Sequence, residues 1–178
     1  MTISFENLGL SETRVNKLKE LGFENPTEIQ EKAIPLMLEG HDVLGQSQTG
    51  TGKTAAYSLP ILEKVDIQDP SVQVLILTPT RELAQQVAEA LKDFTVRRRL
   101  YILTVYGGQS IDRQIRSLER GVQIVVGTPG RVIDLIERKK LILDSLRWAV
   151  LDEADEMLSM GFICLLYTSD AADEYSGV

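Results

Sequence analysis

The sequence predicts an α/β domain with a mainly parallel sheet covered by helices on both faces. Short, nearly continuous apolar runs at 72–77, 100–106, 122–126 and 148–151 alternate with segments of helical period at 81–93, 111–120 and 132–138. Strands buried on both faces read as unbroken apolar runs, and strand–helix alternation is the pattern of a parallel sheet. A further observation is a glycine-rich run, Ser47-Gln48-Thr49-Gly50-Thr51-Gly52-Lys53-Thr54, lying between the short apolar segment 42–44 and a helix-like segment at 55–64. Strand, glycine-rich loop and helix, in that order, is the context of a phosphate-binding loop.

Taken from the start, Ser11 is placed to cap a helix whose apolar positions are Val15, Leu18 and Leu21, with Gly22 as its stop. Thr27 and Gln30 have the spacing of a capping box and open a second helix running toward Glu39, which Pro35 is expected to kink or shorten. In the glycine-rich run, glycines let successive backbone N–H groups face one concavity, and the helix start behind them adds partial positive charge. Lys53 has the reach for the outer phosphates, and the Thr54 hydroxyl is a candidate Mg²⁺ ligand. Ser47 stands where the usual spacing of such loops begins with glycine. After the last apolar run comes Asp152-Glu153-Ala154-Asp155. A carboxylate leaving a buried strand beside a phosphate loop is suited to hold Mg²⁺ through its waters, which assigns Asp152. Its neighbour Glu153 is then placed to orient or deprotonate an attacking water. The same acidic residues also suit the first turn of a helix.

Length and composition narrow the classes. The chain has 178 residues, 43% of them hydrophobic, enough for one domain with a single core. No apolar run reaches membrane-spanning length, and the opening residues lack the basic-then-apolar pattern of a secretory leader, so no membrane partner is expected. One cysteine, Cys164, and one histidine, His41, give neither a disulfide nor a cysteine-based zinc site; the reading is a cytoplasmic protein without structural metal. The net charge of −7 argues against binding of nucleic acid by long-range attraction, so any such contact is made by local groups or helped by a basic partner segment. The basic groups Arg97-Arg98-Arg99 and Arg138-Lys139-Lys140 read as solvated surface. Nothing in the sequence sets an oligomeric state.

The ordered segments Ser47 to Thr54, Pro79-Thr80-Arg81-Glu82-Leu83-Ala84, Gly107-Gly108, Thr128-Pro129-Gly130-Arg131 and Asp152-Glu153-Ala154-Asp155 resemble the motifs of DEAD-box ATP-dependent RNA helicases of bacterial type. The resemblance covers residues 5–162. It implies the first, N-terminal RecA-like domain over 1–162, with a Q motif at about 3–31, and a sheet incomplete at its C-terminus. ATP, Mg²⁺ and RNA are the implied ligands. By resemblance, Phe23, Pro26, Thr27 and Gln30 match the Q motif, in which the glutamine reads adenine and an aromatic packs on the base, and Phe5 matches the isolated upstream aromatic. Pro79, Thr80, Arg81, Gly107, Gly108, Thr128, Pro129, Gly130 and Arg131 match positions that line the RNA path. Such contacts are largely blind to base identity, and the 2′-hydroxyls separate RNA from DNA.

Residues 163–178 depart from the family pattern and are read as a tail foreign to it, resembling translated adapter sequence. The second RecA-like domain, with the arginines that stabilise the transferring phosphoryl group, is absent from these 178 residues, so the fragment is expected to be nearly inactive alone. Two other readings stay open: a phosphate-loop motor acting on DNA, and a non-catalytic RNA- or partner-binding module.

Overall fold

The computed structural model describes residues 4–46, 50–96 and 99–159. A 3₁₀ turn, Phe5–Leu8, leads into α1 (Glu12–Glu20), α2 (Glu28–Leu38) and α3 (Lys53–Lys64). Strands and helices then alternate: β1 (Val74–Leu77), α4 (Arg81–Phe94), β2 (Ile102–Val105), α5 (Ile111–Glu119), β3 (Ile124–Gly127), α6 (Pro129–Glu137), β4 (Trp148–Leu151) and α7 (Ala154–Ser159). All pairings are parallel and the sheet order is β2-β3-β1-β4.

Side chains that alternate along a strand enter different cores, because successive residues point to opposite faces. Val74 and Ile76 of β1 pack with α3, α4 and the N-terminal helices, while Leu75 and Leu77 pack with α6 and α7. Helices therefore lie on both faces, and the expected α/β architecture is present. At the opposite end of the strands, two buried glutamines replace apolar residues. Gln73 donates to the carbonyls of Asp66 and Asp69, and Gln123 donates to that of Asp69 while accepting from the Tyr101 N–H. They satisfy the loop that would otherwise bring unpaired backbone groups under the sheet.

One local expectation needs correction, and two others gain detail. Residues 42–44 form no strand; Val43 is 38% exposed and Leu44 fully exposed. A strand exists only through its ladder, and among the described residues β4 pairs with β1 alone, so nothing bridges β4 to this segment. Ser11 is the N-cap residue of α1 as expected, though its side chain makes no capping bond. Its hydroxyl donates to Glu63 Oε2 at 3.3 Å and its N–H to Glu63 Oε1 at 2.8 Å, so the residue fastens α1 to the end of α3 instead. Pro35 lies inside α2, which continues to Leu38 with Glu39 as its C-cap. The tail 163–178 lies outside the described residues, as do Ser47, Gln48 and Thr49, and Arg97 and Arg98 of the basic group. Arg138 and Lys140 are exposed and paired with Asp134 and Glu119.

The least foreseen contact is Arg14. It follows the helical register of Val15 and Leu18 closely enough to face the core, and is 1% exposed. Its guanidinium donates to the carbonyls of Phe94 and Leu62 and to Glu63 Oε2 at 3.4 Å. Leu62 and Phe94 sit in the last turns of α3 and α4, where carbonyls lack intrahelical partners. One planar fork thus closes two helix ends.

Candidate nucleotide and nucleic-acid site

The glycine-rich loop ends in two residues of positive φ, Gly50 at 81° and Gly52 at 87°. Gly52 is the N-cap of α3, and Lys53 and Thr54 form that helix's first positions. The backbone requirement at Gly52 is doubly strict, since a Cβ there would lie 2.3 Å from Gln30 Nε2.

The capping box at the start of α2 forms as the spacing predicts, and it extends into the loop. Gln30 accepts from the Thr27 N–H at 3.0 Å and donates to the Gly52 carbonyl at 3.1 Å. The Thr27 hydroxyl donates to the Thr51 carbonyl at 2.8 Å. Gln30, 1% exposed, therefore buttresses the loop, and each end of its amide has one hydrogen-bonding position beyond these contacts. The aromatics expected near the base lie inward as well. Phe5 is 2% exposed within the core, and Phe23 meets Phe94 edge-to-face at 5.6 Å.

Across the rim, the Asp152 N–H extends the β1–β4 ladder by donating to the Leu77 carbonyl at 2.9 Å. Its side chain is buried, and Oδ2 accepts from the Tyr57 hydroxyl at 2.8 Å. Tyr57 lies one helical turn beyond Thr54 on α3, so its bond ties the start of that helix to the end of β4. Burial and the adjacent Asp152 charge push the Tyr57 hydroxyl far up, fixing it as a neutral donor. Glu153 has φ 52°, a left-handed conformation uncommon for a residue with a side chain. Desolvation, then its contact with Glu156 and the charges of Glu156 and Asp152, raise its carboxyl above the ordinary value, while the Lys53 charge pulls the other way. Lys53, Thr54, Asp152 and Glu153 thus share one neighbourhood.

The remaining motif segments follow β1, β2 and β3, which are adjacent in the order β2-β3-β1. Thr80 caps α4, its hydroxyl accepting from the Leu83 N–H at 3.2 Å; Pro79 before it is buried. Arg81 is exposed beside Glu82. Gly107 and Gly108 leave β2, with Gly108 at φ 83°. A cleft of 280 Å³ lies between Arg81, Gln85, Tyr106 and these two glycines. Thr128 precedes α6, Pro129 is its first residue, and Gly130 is exposed. Arg131 turns inward: its Nη1 donates to Gln114 Oε1 at 2.8 Å and to the Gln109 carbonyl at 3.2 Å. Gln114 Nε2 in turn donates to the Tyr106 carbonyl at 3.3 Å, and the Tyr106 hydroxyl accepts from Gln85 and Gln109. Gln85, Tyr106, Gln109 and Gln114 escaped the sequence reading because none belongs to a spaced motif; Gln85 and Gln114 are polar residues within amphipathic helices, and Tyr106 and Gln109 lie in the connection between β2 and α5.

A glycine-rich turn opening a helix beside an acidic strand end, at the carboxyl edge of a parallel sheet, defines a domain of the phosphate-loop class. The chain belongs to the DEAD/DEAH box helicase family, whose model matches residues 27–171. It is 70% identical over 163 residues to the RNA helicase CrhR of Synechocystis, covering 92% of this chain and 33% of that protein. It is 56% identical over 159 residues to the ATP-dependent RNA helicase CshA of Listeria monocytogenes, covering 89% of this chain and 31% of that protein. The crystal structure of a DEAD box protein from the hyperthermophile Methanococcus jannaschii superposes with a TM-score of 0.86 at 45% identity, over 90% of this chain and 44% of that one. The chain therefore spans about a third of the length of these curated relatives.

Proposed function

We propose that this chain is the ATP-binding part of an ATP-dependent RNA helicase, in which RNA-stimulated ATP hydrolysis drives local separation of duplexes. The observation that carries the reading is the meeting of the α3 start with the β4 end: Tyr57, one turn after Thr54, donates to Asp152 at 2.8 Å, and the Lys53 charge is felt at Glu153. Lys53 binds the outer phosphates, and the backbone N–H groups of the loop and of the first turn of α3 receive their oxygens. Glu153 orients or deprotonates the attacking water; its raised carboxyl brings it closer to the operating pH of a base.

The donor set suits Mg²⁺. Thr54 and Asp152 offer only oxygen, and among the described residues no group of three or more His, Cys, Asp or Glu forms a cage for a metal. Magnesium is commonly held by one or two protein oxygens together with substrate phosphates. When bound it would neutralise charge developing on the phosphoryl oxygens.

RNA is proposed to lie along the ends of β2, β3 and β1. Sheet order supports this, since it sets Gly107-Gly108, Thr128-Pro129-Gly130 and Thr80-Arg81 side by side. Arg131 serves that surface by holding Gln109 and Gln114 in place. A second RecA-like domain completes the clamp on RNA and supplies the arginines for phosphoryl transfer, so residues 1–178 alone turn over ATP very slowly.

The test is a nucleotide titration of the wild-type chain, Lys53→Ala and Gln30→Ala. Both variants weaken ATP binding; equal affinity in all three overturns the assignment. Gln30 carries a second distinction. If its amide reads adenine, Gln30→Ala loses the preference for ATP over GTP; if it only supports Gly52, both nucleotides weaken together.

A further inference from the structure

We propose that Tyr57 is a positioning residue for the divalent cation that accompanies the nucleotide, its buried hydroxyl orienting the Asp152 carboxylate as a ligand. The inference rests on the nucleotide-binding reading above and adds to it a residue that no loop or acidic motif contains.

Tyr57 lies three residues beyond Thr54 on α3, so the two share a helix face. Its ring is buried with the apolar residues between α3 and the sheet, a place where phenylalanine would fit equally well. The hydroxyl is the part that packing does not explain, because burying one is costly unless it is bonded. Here it reaches Asp152, 95 residues away in sequence, at 2.8 Å.

Counting protons gives the bond a direction. A tyrosine hydroxyl has one proton to give and an ionised carboxylate can only accept, so Tyr57 donates to Asp152 Oδ2. That bond restrains the Asp152 carboxylate, leaving Oδ1 for the cation or its water. The ligand group is oriented before the metal arrives, and the outer partner that orients it is buried, out of competition with solvent.

Tyr57→Phe removes the hydroxyl and keeps the ring. A fluorescent ATP analogue is titrated into residues 1–178 with Mg²⁺ and, separately, with EDTA. The variant is expected to keep its metal-free affinity within about two-fold of wild type and to lose about ten-fold or more of the gain that Mg²⁺ confers, the scale typical of outer-partner substitutions. Thermal melting reports whether the fold is intact. In an Asp152→Asn background, where the carboxylate is already gone, Tyr57→Phe should have little further effect on the Mg²⁺ gain. An unchanged Mg²⁺ gain in Tyr57→Phe, or losses that add fully with Asp152→Asn, overturns the positioning role and leaves the nucleotide assignment standing. A wild-type chain that binds the analogue without any Mg²⁺ dependence, or not at all, overturns both.

Discussion

Replacing Arg14 by methionine tests how far the N-terminal helix is built into the domain. Methionine keeps most of the side-chain length and removes the guanidinium. Among the described residues three bonds are lost: those to the carbonyls of Leu62 and Phe94, and the longer one to Glu63. The two carbonyls end α3 and α4 in a buried setting, and leaving a buried acceptor without a partner costs about 1–3 kcal/mol each. Glu63 retains its two bonds from Ser11 and at 15% side-chain exposure is partly hydrated, so its share is smaller. Against this stands the relief from no longer burying a cation, which in other proteins offsets much of the loss. The net expectation is about 2–4 kcal/mol, a large part of the roughly 5–15 kcal/mol that holds a domain together. Urea unfolding of residues 1–178, followed by far-ultraviolet circular dichroism, measures it as a shift in midpoint at constant slope. A double-mutant cycle with Glu63→Gln should return a coupling of at most about 1 kcal/mol, because the carbonyls rather than the ion pair carry the effect. A loss below about 1 kcal/mol for Arg14→Met would refute the reasoning, as would a coupling that accounts for the whole loss.

Other outcomes follow from the same contacts. Burial pushes the Glu63 carboxyl up, but the Ser11 bonds and the Arg14 charge outweigh it, so its folded pKa lies below the ordinary 4.5. That contribution is complete above the unfolded value and is lost as the pH falls through the folded one; unfolding midpoints of Glu63→Gln should therefore decline less steeply on acidification than those of wild type. Gly127→Ala places a Cβ 2.4 Å from Val105 Cγ2 and 2.5 Å from the Val105 carbonyl oxygen, and should cost about 2–3 kcal/mol in the same urea assay through forced separation of β2 and β3. Gly52→Ala should weaken ATP binding more than Gly50→Ala, since Gly50 has open space around its Cβ position whereas Gly52 meets Gln30; nucleotide titration decides it. Glu153→Gly relieves a left-handed residue and should raise stability by about 1 kcal/mol in thermal unfolding while removing the proposed water-orienting carboxylate.

The order of strands and helices was legible because each depends on short-range pattern: apolar runs for β1, β3 and β4, the helical period of α4, the three-residue spacing of Thr27 and Gln30. Motif positions were legible for the same reason, since a phosphate loop or an acidic strand end is a matter of neighbours in sequence. What the tertiary structure decided involves partners far apart along the chain. Gln30 reaches Gly52 across 22 residues, Arg14 reaches Phe94 across 80, and Tyr57 reaches Asp152 across 95. No spacing rule records such pairs; they arise when packing brings polar groups together out of water and each must find a partner or be costly. The segment at 42–44 makes the same point in reverse. Its residues have the local character of a strand, yet Leu44 remains fully exposed, because a ladder needs a neighbour that no local pattern can supply.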